Sequence, residues 1–111
     1  MAQDTDQIKQ IVTRFYESIK DHYPVRRVFL YGSHARGNAL PDSDIDVGVV
    51  IEAADHSQRV EITSSLFHYA YKVHPALEPK CIFWDEFQQP EPASIVSDII
   101  RTGIDLVHIS P

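Results

Sequence analysis

Two aspartates one residue apart, Asp44 and Asp46, stand at the mouth of the apolar run Val47-Gly48-Val49-Val50-Ile51. In a strand, residues two apart share a face and lie about 6.5–7 Å apart along the chain. Both carboxylates therefore aim at one place, with Ile45 turned to the core. Like charges so placed repel each other unless a cation sits between them. Hard oxygen ligands on a stiff strand suit Mg²⁺, which takes one or two carboxylates and fills its remaining positions with substrate phosphates. A second group precedes them. Gly32 and Ser33 close another apolar run, Val28-Phe29-Leu30-Tyr31, with ten residues between Ser33 and Asp44. Gly32 lets the backbone turn sharply and lets a phosphate come close. Ser33 offers a hydroxyl and a backbone N–H, and the residues after Gly32 can open a short helix whose N-terminus attracts anions. Arg36 falls one turn into that helix, where it either contacts phosphate or pairs with an aspartate. Asp42 reads as a solvated turn residue.

The elements that must hold these groups follow from periodicity. Ile8, Ile11, Val12, Phe15 and Ile19 recur at helical spacing and predict a helix over 5–21, with Asp4 and Gln7 as a capping box. Strands are expected over 25–31 and 45–52. The second is almost continuously apolar, as a central strand is. The connection between them is too long for a tight hairpin and marks a functional loop. Asp55-His56-Ser57 supplies cap residues for a helix over 57–73. A third strand is expected over 77–84, where the prolines suit a sheet edge or a strand start. A connection over 85–92, a helix over 93–102 stopped by Gly103 as a C′ glycine, and a strand over 105–109 complete the chain. Strands one and two have no helix between them and are expected as antiparallel neighbours. The fold class is α/β of the α+β kind: a mixed four-stranded sheet with helices packed mainly on one face, as one domain over residues 1–111.

Composition narrows the function. The chain has 111 residues, 43% of them hydrophobic, enough for a core, and a net charge of −6. That charge argues against a broad electrostatic grip on nucleic acid, which needs a basic face. Cys81 is the single cysteine, so no intramolecular disulfide forms, and a buried thiol is expected. The six histidines lack zinc spacing, and His34 is expected as a loop side chain. No P-loop or calcium-loop pattern is present. The N-terminus lacks the features of a signal peptide and no stretch is long and apolar enough to span a membrane, so a cytoplasmic protein is expected.

Gly32-Ser33-x-Ala35-Arg36-Gly37, followed by Ser43-Asp44-x-Asp46, resembles the signature of the DNA polymerase β-like nucleotidyltransferase superfamily. It is most similar to the minimal nucleotidyltransferases, small domains often paired as antitoxins with helical HEPN toxins. The resemblance covers residues 25–52 strongly and the remaining element order loosely, and Ile100-Arg101-Thr102-Gly103-Ile104-Asp105-Leu106 also resembles the end of such domains. It implies a nucleotidyltransferase fold. It implies that Asp44 and Asp46 hold divalent metal, two Mg²⁺ ions, while Gly32 and Ser33, with Arg36, hold the triphosphate. AMP would pass from ATP to a hydroxyl, a tyrosine of a HEPN-type partner being the natural acceptor, and pyrophosphate would leave. The family places a third carboxylate on the next long strand. Here Glu78 and Lys80 share one strand face, and either could occupy that position. Glu78 completes a catalytic and metal-binding triad, whereas Lys80 would leave the acid missing. Asp85 is a weaker candidate beyond the strand. The other functional class is a degenerate nucleotide- or partner-binding module that neutralises a partner by covering it. A template-using polymerase does not fit the acidic charge, and a small-drug transferase does not fit a chain with so little wall for a second substrate.

Overall fold

The structure is a computed structural model and describes residues 5–52 and 55–108. Helix α1 spans Thr5–Ile19, strand β1 Val25–Tyr31, the single turn α2 Ser33–Arg36 and strand β2 Ile45–Ile51. Helix α3 spans Arg59–Val73, β3 Leu77–Phe83, α4 Trp84–Gln88, α5 Ile95–Thr102 and β4 Ile104–His108. The sheet order is β3-β2-β1-β4. β1 runs antiparallel to both β2 and β4, while β2 and β3 are parallel, with α3 as the crossover that parallel strands require. Among the described residues, no helix is long and apolar enough to cross a membrane.

The apolar stripe of α1 is buried throughout, at Ile8, Ile11, Val12, Phe15 and Ile19. It packs with Ile62, Leu66 and Ala70 of α3 against one sheet face, to which β2 contributes Ile45, Val47, Val49 and Ile51. The alternate residues of the strands, Phe29, Val50 and Ile82, meet Ile99 of α5 on the other face. β2 reads as a continuous apolar run because the sheet is covered on both sides, by two long helices on one and two short ones on the other. α1 ends two residues sooner than periodicity suggests: the N–H groups of His22 and Tyr23 both turn back to Ile19 O ahead of Pro24. Asp4, half of the expected capping box, lies outside the described residues, as does Ile109 of the last strand. Asp55 caps as expected, accepting from the Ser57 N–H at 2.9 Å, but what it caps is a 3₁₀ turn over His56–Gln58 that leads into α3.

Two expectations fail for local reasons. Residues 85–92 are not a plain connection, because α4 occupies their first half. Glu86 reaches back to the Phe83 N–H at 2.9 Å and also pairs with Arg59 at 2.6 Å. Trp84 and Phe87 stack with centroids 5.5 Å apart, under the guanidinium groups of Arg26 and Arg27 at 4.2 and 5.1 Å. α5 begins at Ile95 rather than Ala93, since Ala93 has φ 62°, and Ser94 caps the helix through the Ser97 N–H. Its terminator also differs in kind. Gly103 has φ −77°, so it is no left-handed cap; its N–H bonds to Ile99 O at 2.8 Å. Glycine is required there by space, because a Cβ would lie 2.5 Å from Ile99 O and 3.2 Å from Leu30 O.

β3 is an edge strand, one of the two places its prolines suit, and several backbone groups on its free edge are taken. Outward-facing backbone groups alternate along a strand. The Leu77 N–H is taken by His74 O, Pro79 has none, Cys81 O accepts from Arg59 at 2.9 Å, and the Phe83 N–H is taken by Glu86. Cys81 itself is buried and free, as expected.

The close seat of α5 on β1 gives a test. Gly103→Ala should lower the urea midpoint by the equivalent of about 1–3 kcal/mol, the usual cost of overpacking. A midpoint unchanged from wild type would contradict this backbone contact.

Candidate active site

β1 delivers Tyr31 to the sheet end and Gly32 then reverses the chain. Gly32 has φ 74° and ψ −151°, a conformation open to glycine and strained for other residues. A Cβ there would also overlap Oδ2 of Asp46, so the turn and the aspartate fit only because position 32 has no side chain. α2 follows, with the Arg36 N–H on Gly32 O, and ends at Gly37, which is left-handed. His34, expected as a loop side chain, belongs to this helical turn; its Nε2 is buried without a hydrogen-bond partner.

Strand register places the acids. Tyr31 pairs with Asp46 and Asp46 with Glu78; the next row on the same face is Phe29, Gly48 and Lys80. Of the two residues offered for the third position, Glu78 therefore stands beside Asp46, and Lys80 stands beside Gly48 one step further along. Asp44 is exposed just ahead of β2, and Asp46 is half-buried. Burial and the Asp44 charge push the Asp46 carboxyl above its ordinary range, against the pull of Glu78, His34 and Arg36. Burial, Asp44 and Asp46 push Glu78 up as well. Tyr31 is pushed up to about 12 by burial and by the charges of Asp46 and Glu78. The three carboxylates thus sense each other as one cluster.

Gly32, Ser33, Arg36, Asp42, Asp44 and Asp46 line one side of a cleft of about 740 Å³, and α5 forms the other with Ile95, Asp98, Arg101 and Thr102. Arg36 makes no ion pair among the described residues, so of its two expected roles the structure leaves it turned to the cleft. Asp42 is an exposed turn residue, as expected, at the rim of the same cleft. Asp85 does not join the acids: it pairs with His56 at 2.9 Å and lines a different hollow. The α5 wall comes from the far end of the chain, and Gly103 lets the helix end lie against β1.

Among the described residues, no three His, Cys, Asp or Glu side chains form a ready-made metal cage. An open pair of carboxylates with a third beside it nevertheless fits a hard divalent ion that keeps positions for water and phosphate oxygens. Donors of oxygen alone, carrying like charges close together, are the set such an ion neutralises.

That repulsion has a stability sign. A carboxyl whose folded pKa is raised disfavours folding above that pKa, and the penalty fades as pH falls through it. Asp46→Asn should therefore raise the thermal midpoint of chelator-treated protein at pH 7. The gain should shrink toward pH 4 in calorimetry. A lowered midpoint at pH 7 would refute the repulsive cluster.

Residues 12–105 match the nucleotidyltransferase domain family. The chain is 33% identical over 67 residues to a protein of Methanocaldococcus jannaschii named as a protein adenylyltransferase, covering 60% of this chain and 66% of that one. It is 34% identical over 47 residues to the protein adenylyltransferase MntA of Thermococcus cleftensis, covering 42% of this chain and 48% of that one. The match thus spans just under two thirds of the first relative and about half of the second. Among solved structures, a nucleotidyltransferase-named chain of Sulfolobus solfataricus superposes with TM-score 0.63 at 16% identity, over 90% of this chain and 79% of that one. A chain of a toxin–antitoxin assembly with AMP-PNP gives 0.56 at 18%, over 91% and 73%. These likenesses show the fold. With the family match running from α1 to β4, through the glycine turn and the strands that carry the acids, the chain belongs to the nucleotidyltransferase domain family.

Proposed function

We propose that this domain moves AMP from ATP to a hydroxyl of a partner protein, a tyrosine of a HEPN-type toxin, and so acts as an antitoxin. The observation that carries this is the β2–β3 register, which sets Glu78 beside Asp46 on one face, with Asp44 just ahead of β2. The relatives named as protein adenylyltransferases support the acceptor class.

Asp44, Asp46 and Glu78 would hold two Mg²⁺ ions, which when bound supply Lewis-acid stabilisation of the attacking and leaving oxygens. The chain's own residues do the rest. Gly32 and Ser33 bind the triphosphate through backbone N–H groups and the serine hydroxyl, and Arg36 adds a cation on the same side. Glu78, beside Asp46 on the strand face, accepts the proton of the acceptor hydroxyl. The acceptor oxygen bonds to the α-phosphorus, the bond to the β-phosphate bridging oxygen breaks, and pyrophosphate leaves. Positioning and charge compensation dominate, as in other phosphoryl transfers.

Transfer of labelled AMP from ATP onto a purified HEPN-type partner tests this directly. Asp44→Asn/Asp46→Asn should abolish transfer, and undiminished label on the partner would sink the assignment. Binding without transfer by the wild type would favour a module that neutralises by covering. Glu78→Gln should slow transfer by about 10²–10⁴-fold, the usual contribution of a general base. Lys80→Ala should cost less than about ten-fold in kcat; the reverse order of losses would hand the third position to Lys80.

A further inference from the structure

Tyr31 and Asp46 form a ridge between two hollows, since both border the large cleft and a second one of about 380 Å³. The second hollow lies at the open edge of the sheet. Glu78 and Lys80 of β3 line it, with Arg59, Thr63 and Phe67 of α3 opposite. Glu78 borders only this second hollow, whereas Gly32, Ser33 and Arg36 border only the first. In-line displacement puts the attacking and leaving oxygens on opposite sides of the phosphorus. With the leaving phosphates on the Gly32-Ser33 side, the incoming hydroxyl arrives from the β3 side.

The surface beside that hollow is apolar where α3 has no neighbour. Val60, Phe67 and Tyr71 are 76%, 42% and 74% exposed. Spacings of seven and four residues put them on one side of the helix, a line about 16 Å long with exposed Ser64 between Val60 and Phe67. Phe67 belongs to both the stripe and the hollow, so the two are continuous. Lys80 makes no ion pair among the described residues and stands next to Glu78 on the strand face.

We propose that the α3 stripe and the α3–β3 hollow form the docking surface for a protein acceptor. The acceptor segment lays apolar side chains along Val60, Phe67 and Tyr71, brings an acidic residue to Lys80, and presents its hydroxyl to Glu78. What happens to that hydroxyl rests on the transfer reaction above; the docking does not.

A random glutamate–tyrosine copolymer carries all three chemistries and serves as the probe. Titrated into ¹⁵N-labelled protein, it should shift amide resonances at Thr63, Phe67, Lys80 and Cys81 saturably. Val60→Asp/Phe67→Asp/Tyr71→Asp should weaken this at least about ten-fold while leaving the Kd for MgATP within two-fold. Shifts confined to Gly32–Arg36 and α5, or no saturable shift, overturn the proposal. So does a homodimer, seen by sedimentation, that the triple change splits, since a second copy would then own the stripe. Docking shifts with no transfer of AMP to the copolymer or to a HEPN-type partner would sink the transfer reaction and leave the surface standing. Transfer with no shifts on α3 would do the opposite.

Discussion

The parallel pairing of β2 with β3 is the constraint on which the site depends. Side chains in neighbouring strands line up only in a fixed register, and a slip of one residue would turn Glu78 to the other face. That register is held at the core, not at the site. Val49 lies against Cys81 and Ile51 against Phe83, with all four residues buried. On the opposite face Val50 and Ile82 meet Ile99. The acids are thus placed by apolar packing several residues away, where substitution costs stability, while the site itself carries the repulsion. Their arrangement opposes folding locally, as electrostatically strained functional clusters do, and the covered sheet offsets it.

The same division explains what the sequence could and could not reveal. Asp44, Asp46, Gly32 and Ser33 sit close together in the chain, so spacing alone grouped them. Ile45 faced the core as a period of two requires. Glu78 was ambiguous with Lys80 because both share a face, and only the register with a distant strand separates them. The α5 wall of the cleft was out of reach, since it depends on where the last strand pairs. β4 lies beside β1, and that pairing draws α5 across the end of β1. Gly103 announced a helix end, but its reason, the close approach of Leu30 O and Ile99 O, belongs to three dimensions. Short α4 was hidden because two aromatic side chains and two arginines hold it, contacts that no periodicity encodes.

Charge is distributed to match. A chain of net charge −6 places Arg36 and Arg101 around the large cleft and Arg59 and Lys80 around the smaller one. Arg101 is held by Asp98 at 2.5 Å and Arg59 by Glu86, so two of the four cations are already compensated. Arg36 and Lys80 stand on opposite sides of the acid row without partners among the described residues. An overall acidic surface discourages polyanions at large, while these two cations act over a few ångströms, within a Debye length.

Tyr31 carries a consequence of its own. It is a phenol at the centre of a site read here as one that modifies phenols. Held at about 12, it stays protonated at any physiological pH. Burial, with the charges of Asp46 and Glu78, disfavours its phenolate further, so the resident hydroxyl stays a neutral donor beside the acids.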